Sequence, residues 1–421
     1  MTATAQSIAD TCATAQRAAR TLATLGANVK DQALEAIAVA LVADQGEILE
    51  ANAHDLERGR ENGLSDALLD RLQLTPERIA EMAAGVRKIA SLPDPVGEVI
   101  DGSRLPNGLS LRRVRVPLGV IAVVYEARPN VTIDAAALCL KSGNAVVLRG
   151  SSSAAQSNAV LASVAARGSA AAGLPAGAVA LLSGGDREEL AELATQTGVV
   201  DLIIPRGGEG LKAALKGVAT VPVIYAASGN NHIFVDASAD LDSAHQIVMN
   251  AKLQRPGTCN AAEKLLVHAD VAQSFLPGML KALREAGVIL HGDDRARAAA
   301  PGIEIGVASD EDWDTEYLAL ELAVGVVDGT AEAIAHINAH GSGHSEAIVT
   351  GSTAAARSFQ LGVDAACVYV NASTRFTDGG EFGKGAEIGN STQKLHARGP
   401  IGLEELCTFK YLVEGAGHIR A

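Results

Sequence analysis

Apolar residues recur at helical spacing through about the first ninety positions, in stretches such as QALEAIAVALVADQGEILEANAHDLERGRENG, and SLPDP closes this run with turn chemistry. The pattern predicts a helical lead-in. From 97 to 116 the period shortens to an alternation around LPNG, which predicts an extended β-hairpin arm. Strand, turn and helix then repeat. VIAVVYEA precedes VTIDAAALCLKSG, NAVVLRG precedes an Ala-rich helix, AVALLSG precedes DREELAELATQ, VVDLIIPRG precedes GEGLKAALKG, and VPVIYAASG follows. Short apolar strands with helices between them predict an α/β fold with a doubly wound parallel sheet.

A helix near ADLDSAHQIVMNAKLQ should stop at Arg255-Pro256-Gly257, where the chain is expected to cross into a second lobe built on EKLLVH, GVILHG, LAVGVVDG, SEAIVTG and AACVYVNA. The expected domains are therefore a cofactor lobe from 1–96 and 117–255, the arm at 97–116, a catalytic α/β lobe at 256–372, and a C-terminal segment at 373–421. That segment is glycine-rich and basic from Ser373 to Pro400, with helical content expected at GLEELCTFKYLV.

Charge narrows the choice of partners. With 35 basic against 49 acidic residues the net charge is -14, which repels nucleic-acid backbones and anionic membranes. An anionic substrate must then be held by a local group of arginines. No apolar run reaches transmembrane length, and MTATAQSIADTCATAQ reads as an amphipathic helix rather than a signal peptide, while the unpaired spacing of the cysteines makes a reducing cytoplasm the expected compartment. Cysteines at 12, 139, 259, 367 and 407 have no paired spacing and predict neither a disulfide framework nor a zinc site.

Cys259 differs from the other four. It sits in AKLQRPGTCNAAEKLLVH, where proline and glycine end a helix, with Lys252 and Arg255 as basic neighbours, the setting a thiolate nucleophile needs. A buried small hydrophobe is the other reading, and it suits Cys139, Cys367 and Cys407 inside apolar elements. Three strand-to-helix turns could cradle the phosphates of a dinucleotide: Arg149, Gly150 and Ser151 in LRGSSS, Gly184 and Gly185 in LSGGDRE, and Arg206, Gly207 and Gly208 in IPRGGEG. Arg149 and Arg206 could pair with an extra 2′-phosphate, which favours NADP, or stand as solvated surface residues. Asn130 in YEARPNV could donate to an oxyanion or cap the helix that follows. His336, His340 and His344 lack a carboxylate or fourth ligand at matching spacing, so no metal is expected.

Taken in order, VPLGVIAVVYEARPNVTIDAAALCLKSGNAVVLRG, LIIPRGG, NAKLQRPGTCNAAEKLLVH, AACVYVNASTRFTDGGEFGKGAEIG and STQKLHARGP closely resemble the gamma-glutamyl phosphate reductases, a branch of the aldehyde dehydrogenase superfamily. The resemblance implies an aldehyde dehydrogenase-like fold with a hairpin oligomerisation arm. It implies NADPH-dependent reduction of L-glutamate 5-phosphate to L-glutamate 5-semialdehyde and phosphate, the second step of proline biosynthesis from glutamate. Cys259 is then the nucleophile and Asn130 the oxyanion donor, with the Cys259 N–H as the second. Glu316 resembles the glutamate that holds the nicotinamide ribose, and Arg149 stands where the superfamily usually has a lysine. Arg128, Arg375, Lys394, His396 and Arg398 become the candidates for the substrate.

Hydrolytic aldehyde dehydrogenases carry a glutamate after the fifth strand that activates water. Here VPVIYAASGNNHIFVD has no carboxylate before Asp236, which favours reduction of an acyl phosphate over hydrolysis of a thioester. Asn231 stands where some reductases have cysteine, and Asn390 varies a small apolar site; neither is expected to touch the nucleophile. A hydrolytic dehydrogenase and a catalytically silent nucleotide-binding scaffold are the competing readings. The arm and the basic tail suggest a homo-oligomer, a dimer or tetramer. A transient contact with glutamate 5-kinase, the source of the unstable acyl phosphate, is left open.

Overall fold

The lead-in periodicity resolves into helices Ile8–Leu22, Ala27–Ala43, Gln45–Glu61, Asp66–Leu72 and Pro76–Ser91. Ser7 caps the first by accepting from the Asp10 N–H, and Thr75 caps the last ahead of Pro76, whose missing N–H costs nothing in a first turn. The structure, a computed structural model, describes residues 7–183, 185–225 and 228–420. The chain forms two compact units, one of Met1–Tyr225 with Lys384–Gly389 and Ile401–Ala421, the other of Ala226–Gly383 with Asn390–Pro400.

In the first unit, β1 (Val99–Arg104) and β2 (Ser110–Pro117) pair antiparallel as the expected arm. Then come β3 (Val120–Tyr125), β4 (Ala145–Arg149), β5 (Val179–Leu181) and β6 (Leu202–Arg206), parallel and in the spatial order β5-β4-β3-β6. β3 and β4 are buried along their whole length, as expected of strands covered on both faces. The fifth expected strand, VPVIYAASG, makes only a bridge between Val223 and Ile203 among the described residues. Pro222 has no N–H to extend a ladder, so the pairing stops after Ile203 N–H donates to Pro222 O and Ile224 N–H to Ile203 O.

The second unit holds a parallel sheet of β7 (Asn231–Val235), β8 (Ala262–His268), β9 (Ile289–Gly292), β10 (Gly306–Val307), β11 (Glu321–Val327), β12 (Ser345–Val349) and β13 (Cys367–Val370), in the order β10-β9-β11-β8-β7-β12-β13. Ile233, Leu265 and Val324 face the helices Leu241–Leu253 and Ala269–Glu285. On the opposite face Phe234, Leu266 and Ile348 pack with Ile337 and Phe359. Two short strands, β14 (Asn390–Ser391) and β15 (Gly399–Pro400), pair antiparallel in the tail.

Two expectations are corrected. The division falls between Tyr225 and Ala226, not at Pro256-Gly257. β7 lies before the proline yet pairs with both β8 and β12, so its hydrogen bonds commit residues 231–255 to the second sheet. The chain also returns to the first unit in a strand where a helix was expected: β16 (Cys407–Glu414) adds antiparallel to β2 along eight partnered residues, Cys407 to Glu414. Phe409, Tyr411 and Val413 alternate along one exposed face, a period of two that outweighs the helical look of GLEEL. Arg113 lies 4.9 Å over the Phe409 ring.

Candidate active site

Asn231 and Ala262 are register partners, so the loop bearing Cys259 arrives at the amino ends of β7 and β8. Cys259 is half-buried there, whereas Cys12, Cys139, Cys367 and Cys407 are buried. Burial pushes the Cys12 thiol up to about 11 and the Cys407 thiol up to about 12, and raises Cys139 as well. These are poor nucleophiles.

The Cys259 loop is bolted to the segment 373–377. Asn260 Nδ2 donates to the Thr377 carbonyl at 2.9 Å, and Thr374 Oγ1 donates to the Asn260 carbonyl at 2.7 Å. Arg375 bridges the same two pieces, its Nη1 donating to Thr258 Oγ1 and its Nε to Gln254 Oε1, each at 2.9 Å. Burial holds the Arg375 guanidinium below its ordinary range with Arg255 acting in the same direction, while Asp378 and the Cys259 thiolate favour its charge. Arg375 therefore supplies the cationic surroundings expected of Lys252. Lys252 itself is fully buried in an ion pair with Glu263 at 3.2 Å and donates to the Ala262 carbonyl, a structural strut rather than an active-site cation.

Glu316 is half-buried, and its carboxylate accepts the Gly229 N–H at 2.6 Å. Gly229 in turn abuts the Cys259 backbone: a Cβ there would stand 1.6 Å from the Cys259 carbonyl oxygen. Asn231 Nδ2 donates to that carbonyl at 2.8 Å, so this asparagine does touch the Cys259 backbone, contrary to expectation. Asp236, the first carboxylate in its stretch, lies beyond the far end of β7 and accepts from Ser238 and Thr350; burial opposes its ionisation, yet these bonds hold it below the ordinary range.

In the first unit Asn130 opens the helix Asn130–Lys141 as its first residue and caps nothing. Its Nδ2 donates instead to Asp134 at 3.0 Å, and burial pushes the Asp134 carboxyl up to about 6 against the pull of Asn130 and Arg206. Arg128 is exposed nearby in sequence. Arg149 is buried rather than solvated: it pairs with Glu189 at 2.9 Å and donates to the Gly185 and Asp186 carbonyls, tying the turn after β4 to the turn after β5. Gly184 lies outside the described residues. Gly150 is required because a Cβ would meet Asn158 Nδ2 at 2.0 Å. The Gly208 N–H donates to Glu126 at 3.0 Å, and Gly207 packs on the same carboxylate, so this helix start holds an internal anion. Arg206 reaches toward Gly389.

Sequence reading missed a cavity of about 280 Å³ beside the LRGSSS turn. Arg58, Gly59, Asn62 and Leu64 line one side and Ser152 and Ser153 the other. Arg58 donates to the Ser152 carbonyl at 2.7 Å and pairs with the buried Asp55 at 3.1 Å, which fixes its guanidinium in the lining.

The 421-residue chain matches the aldehyde dehydrogenase family profile over residues 1–304. It is 57% identical over 406 residues to a gamma-glutamyl phosphate reductase of Thermobifida fusca, covering 96% of this chain and 97% of that protein. It is 58% identical over 406 residues to a Moorella thermoacetica protein of the same name, covering 96% and 97%. The crystal structure of the Thermotoga maritima gamma-glutamyl phosphate reductase superposes with a TM-score of 0.95 at 46% identity, covering 98% of this chain and 99% of that one. The chain belongs to the gamma-glutamyl phosphate reductase branch of the aldehyde dehydrogenase family.

Within that family frame, the tail candidates separate. Arg375 contacts the Cys259 loop, whereas Lys394 and Arg398 converge on Asp364 at 2.6 and 2.7 Å, in the lining of a second cavity of about 260 Å³ that Ser342, Glu346 and Thr392 also line. His396, exposed between them, has a φ of 67°, a left-handed conformation uncommon outside glycine. The histidines form no metal centre among the described residues. His340 pairs with Asp314 at 2.8 Å, His344 meets Ser345 at 2.7 Å, and His336 packs edge-on against His232. Burial pushes His336 down to about 3 and His344 to about 4, so both are neutral spacers. No helix among the described residues is long and apolar enough to cross a membrane.

Proposed function

We propose that this chain reduces L-glutamate 5-phosphate to L-glutamate 5-semialdehyde, with release of phosphate, as the second step of proline biosynthesis in the cytoplasm. The observation that carries the reading is the half-buried Cys259 beside Arg375, in a chain more than half identical to reductases of that name.

In this mechanism the Cys259 thiolate, favoured by the Arg375 charge, attacks the γ-carbonyl. Asn130 and the Cys259 N–H serve as oxyanion donors. The Asn130 amide has two N–H groups, and the bond to Asp134 uses one of them. Phosphate departs as a good leaving group at neutral pH, leaving Cys259 acylated. NADPH, when bound, supplies the hydride that carries the acyl group to the aldehyde. Collapse of the second tetrahedral adduct returns the thiolate.

The first unit's residues fit such a nucleotide in one respect that favours a phosphorylated ribose. The cavity by the LRGSSS turn offers one guanidinium, Arg58, and the hydroxyl-bearing residues Ser152 and Ser153. Arg149 would act behind it by fixing the turn. Glu316, set by Gly229, is the carboxylate for the nicotinamide ribose. The stretch before Asp236 offers no general base, which protects the thioester from water.

The test is the reaction run backwards. NADP reduction by glutamate semialdehyde should require phosphate and should vanish in Cys259→Ala while NADPH binding persists. Phosphate-independent formation of glutamate would support a hydrolytic dehydrogenase instead.

A further inference from the structure

The amino end of β7 carries a hydrogen-bond circuit that ends on the nucleophile's backbone. Asn231 is fully buried, and every polar group of its amide is engaged. Nδ2 donates to the Cys259 carbonyl at 2.8 Å and to the Ala261 carbonyl at 2.6 Å, and Oδ1 accepts the Ser345 N–H at 3.1 Å. Its own backbone N–H donates to the Gly229 carbonyl at 2.9 Å, and Gly229 donates to Glu316. One planar side chain thus ties the Cys259 loop to two strands and, through Gly229, to the carboxylate at 316.

We propose that Asn231 is a positioning residue for Cys259, a role that rests on the reading of Cys259 as the nucleophile. Two carbonyls two residues apart, held by the two hydrogens of one amide, orient the 259–260 and 261–262 peptide planes. That sets ψ of Cys259 and with it the direction of its Cα–Cβ bond, leaving the sulfur only its χ1 rotation. Gly229 closes the other side, since nothing larger than a hydrogen fits against the Cys259 carbonyl. An aspartate at 231 keeps shape and volume but turns oxygen lone pairs toward both carbonyls. A serine keeps a single hydroxyl donor.

The experiment compares Asn231→Asp and Asn231→Ser with the wild-type full chain. It measures kcat and KM for phosphate-dependent oxidation of glutamate semialdehyde, NADPH affinity by fluorescence, and the pH profile of Cys259 alkylation by iodoacetamide. Misplacing a reacting atom by about 1 Å costs on the order of 100-fold, so kcat per titratable Cys259 should fall about 10- to 100-fold in either variant, with NADPH affinity within about twofold. The alkylation midpoint should stay put in Asn231→Ser and rise in Asn231→Asp, where a new carboxylate opposes the thiolate. A merely structural role would lower the fraction of titratable protein and leave kcat per thiol unchanged. A kcat per thiol within about twofold of wild type in a folded variant overturns the proposal. If Asn231→Asp does not fold, Asn231→Ser decides by the same measure. Cys259→Ala separates the two ideas: its retained activity overturns the nucleophile reading, whereas a dead Cys259→Ala beside a wild-type-like Asn231→Ser overturns the positioning role alone.

Discussion

Gly229 is held between Glu316 and Cys259: its N–H lies 2.6 Å from the glutamate oxygen, and its α-carbon leaves no room for a side chain against the cysteine carbonyl. Placing a methyl group there forces the backbone of either Gly229 or Cys259 to move. Gly229→Ala should therefore lose at least about 100-fold in kcat while helix content by circular dichroism stays near wild type. Wild-type turnover in that variant would show that the Cys259 backbone is not confined here.

Thiol labelling should be selective. Cys12 and Cys407 hold their protons up to about pH 11 and 12, and Cys139 is raised too, so at pH 8 these sites carry almost no thiolate. Peptide mapping after brief iodoacetamide treatment of native protein should find the label on Cys259. Denaturation should expose all five cysteines to the reagent. Early labelling spread over several sites would contradict the burial pattern.

Removing Arg58 should separate the two nicotinamide dinucleotides. A partly exposed charge-assisted bond to a 2′-phosphate is worth about 1.5 kcal/mol, so Arg58→Ala should weaken NADPH binding about 10-fold and NADH binding far less. Titration calorimetry measures both. Equal weakening would move Arg58 out of a phosphate site and leave it as packing for the turn.

Asp134 gives a pH signature whose sign follows from burial. Its carboxyl is raised to about 6 from 3.8, so the folded state favours the neutral acid. That stability is fully present below about pH 4 and is lost as pH rises through about 6. Asp134→Asn should consequently gain stability relative to wild type between those values, by up to about 3 kcal/mol from a shift of roughly two units. Chemical denaturation of both proteins at pH 4 and pH 7 reads the difference directly. A constant difference across that range would place the ordinary carboxylate at 134.

The strands and helices were legible where one period ran unbroken. β3 and β4 announced themselves as apolar runs, and the lead-in helices carried caps such as Thr75-Pro76. Reading failed where long-range pairing overrides local pattern. Nothing local in NNHIFV says that its partners are two strands beyond Cys259, so the pattern puts the division some thirty residues late. CTFKYLVE followed a helical-looking stretch, and only its pairing with β2 reveals it as a strand. At the site, Cys259 stands out by its punctuation, but the contact of Asn231 with it does not, because a buried amide that grips distant carbonyls leaves no spacing to detect. Lys252 was misread for the same reason: its partner Glu263 lies across the loop, not along the helix.

The sheet made by β1, β2 and β16 joins strands far apart along the chain. During synthesis β2 is made early, yet the strand that covers its far edge follows nearly three hundred residues later. Until then the β2 edge of the hairpin stays open, and an open edge pairs with whatever strand arrives first. The amino-terminal unit is thus the first to be translated and among the last to be finished, which makes its incomplete sheet the part of a nascent or truncated chain most in need of a chaperone.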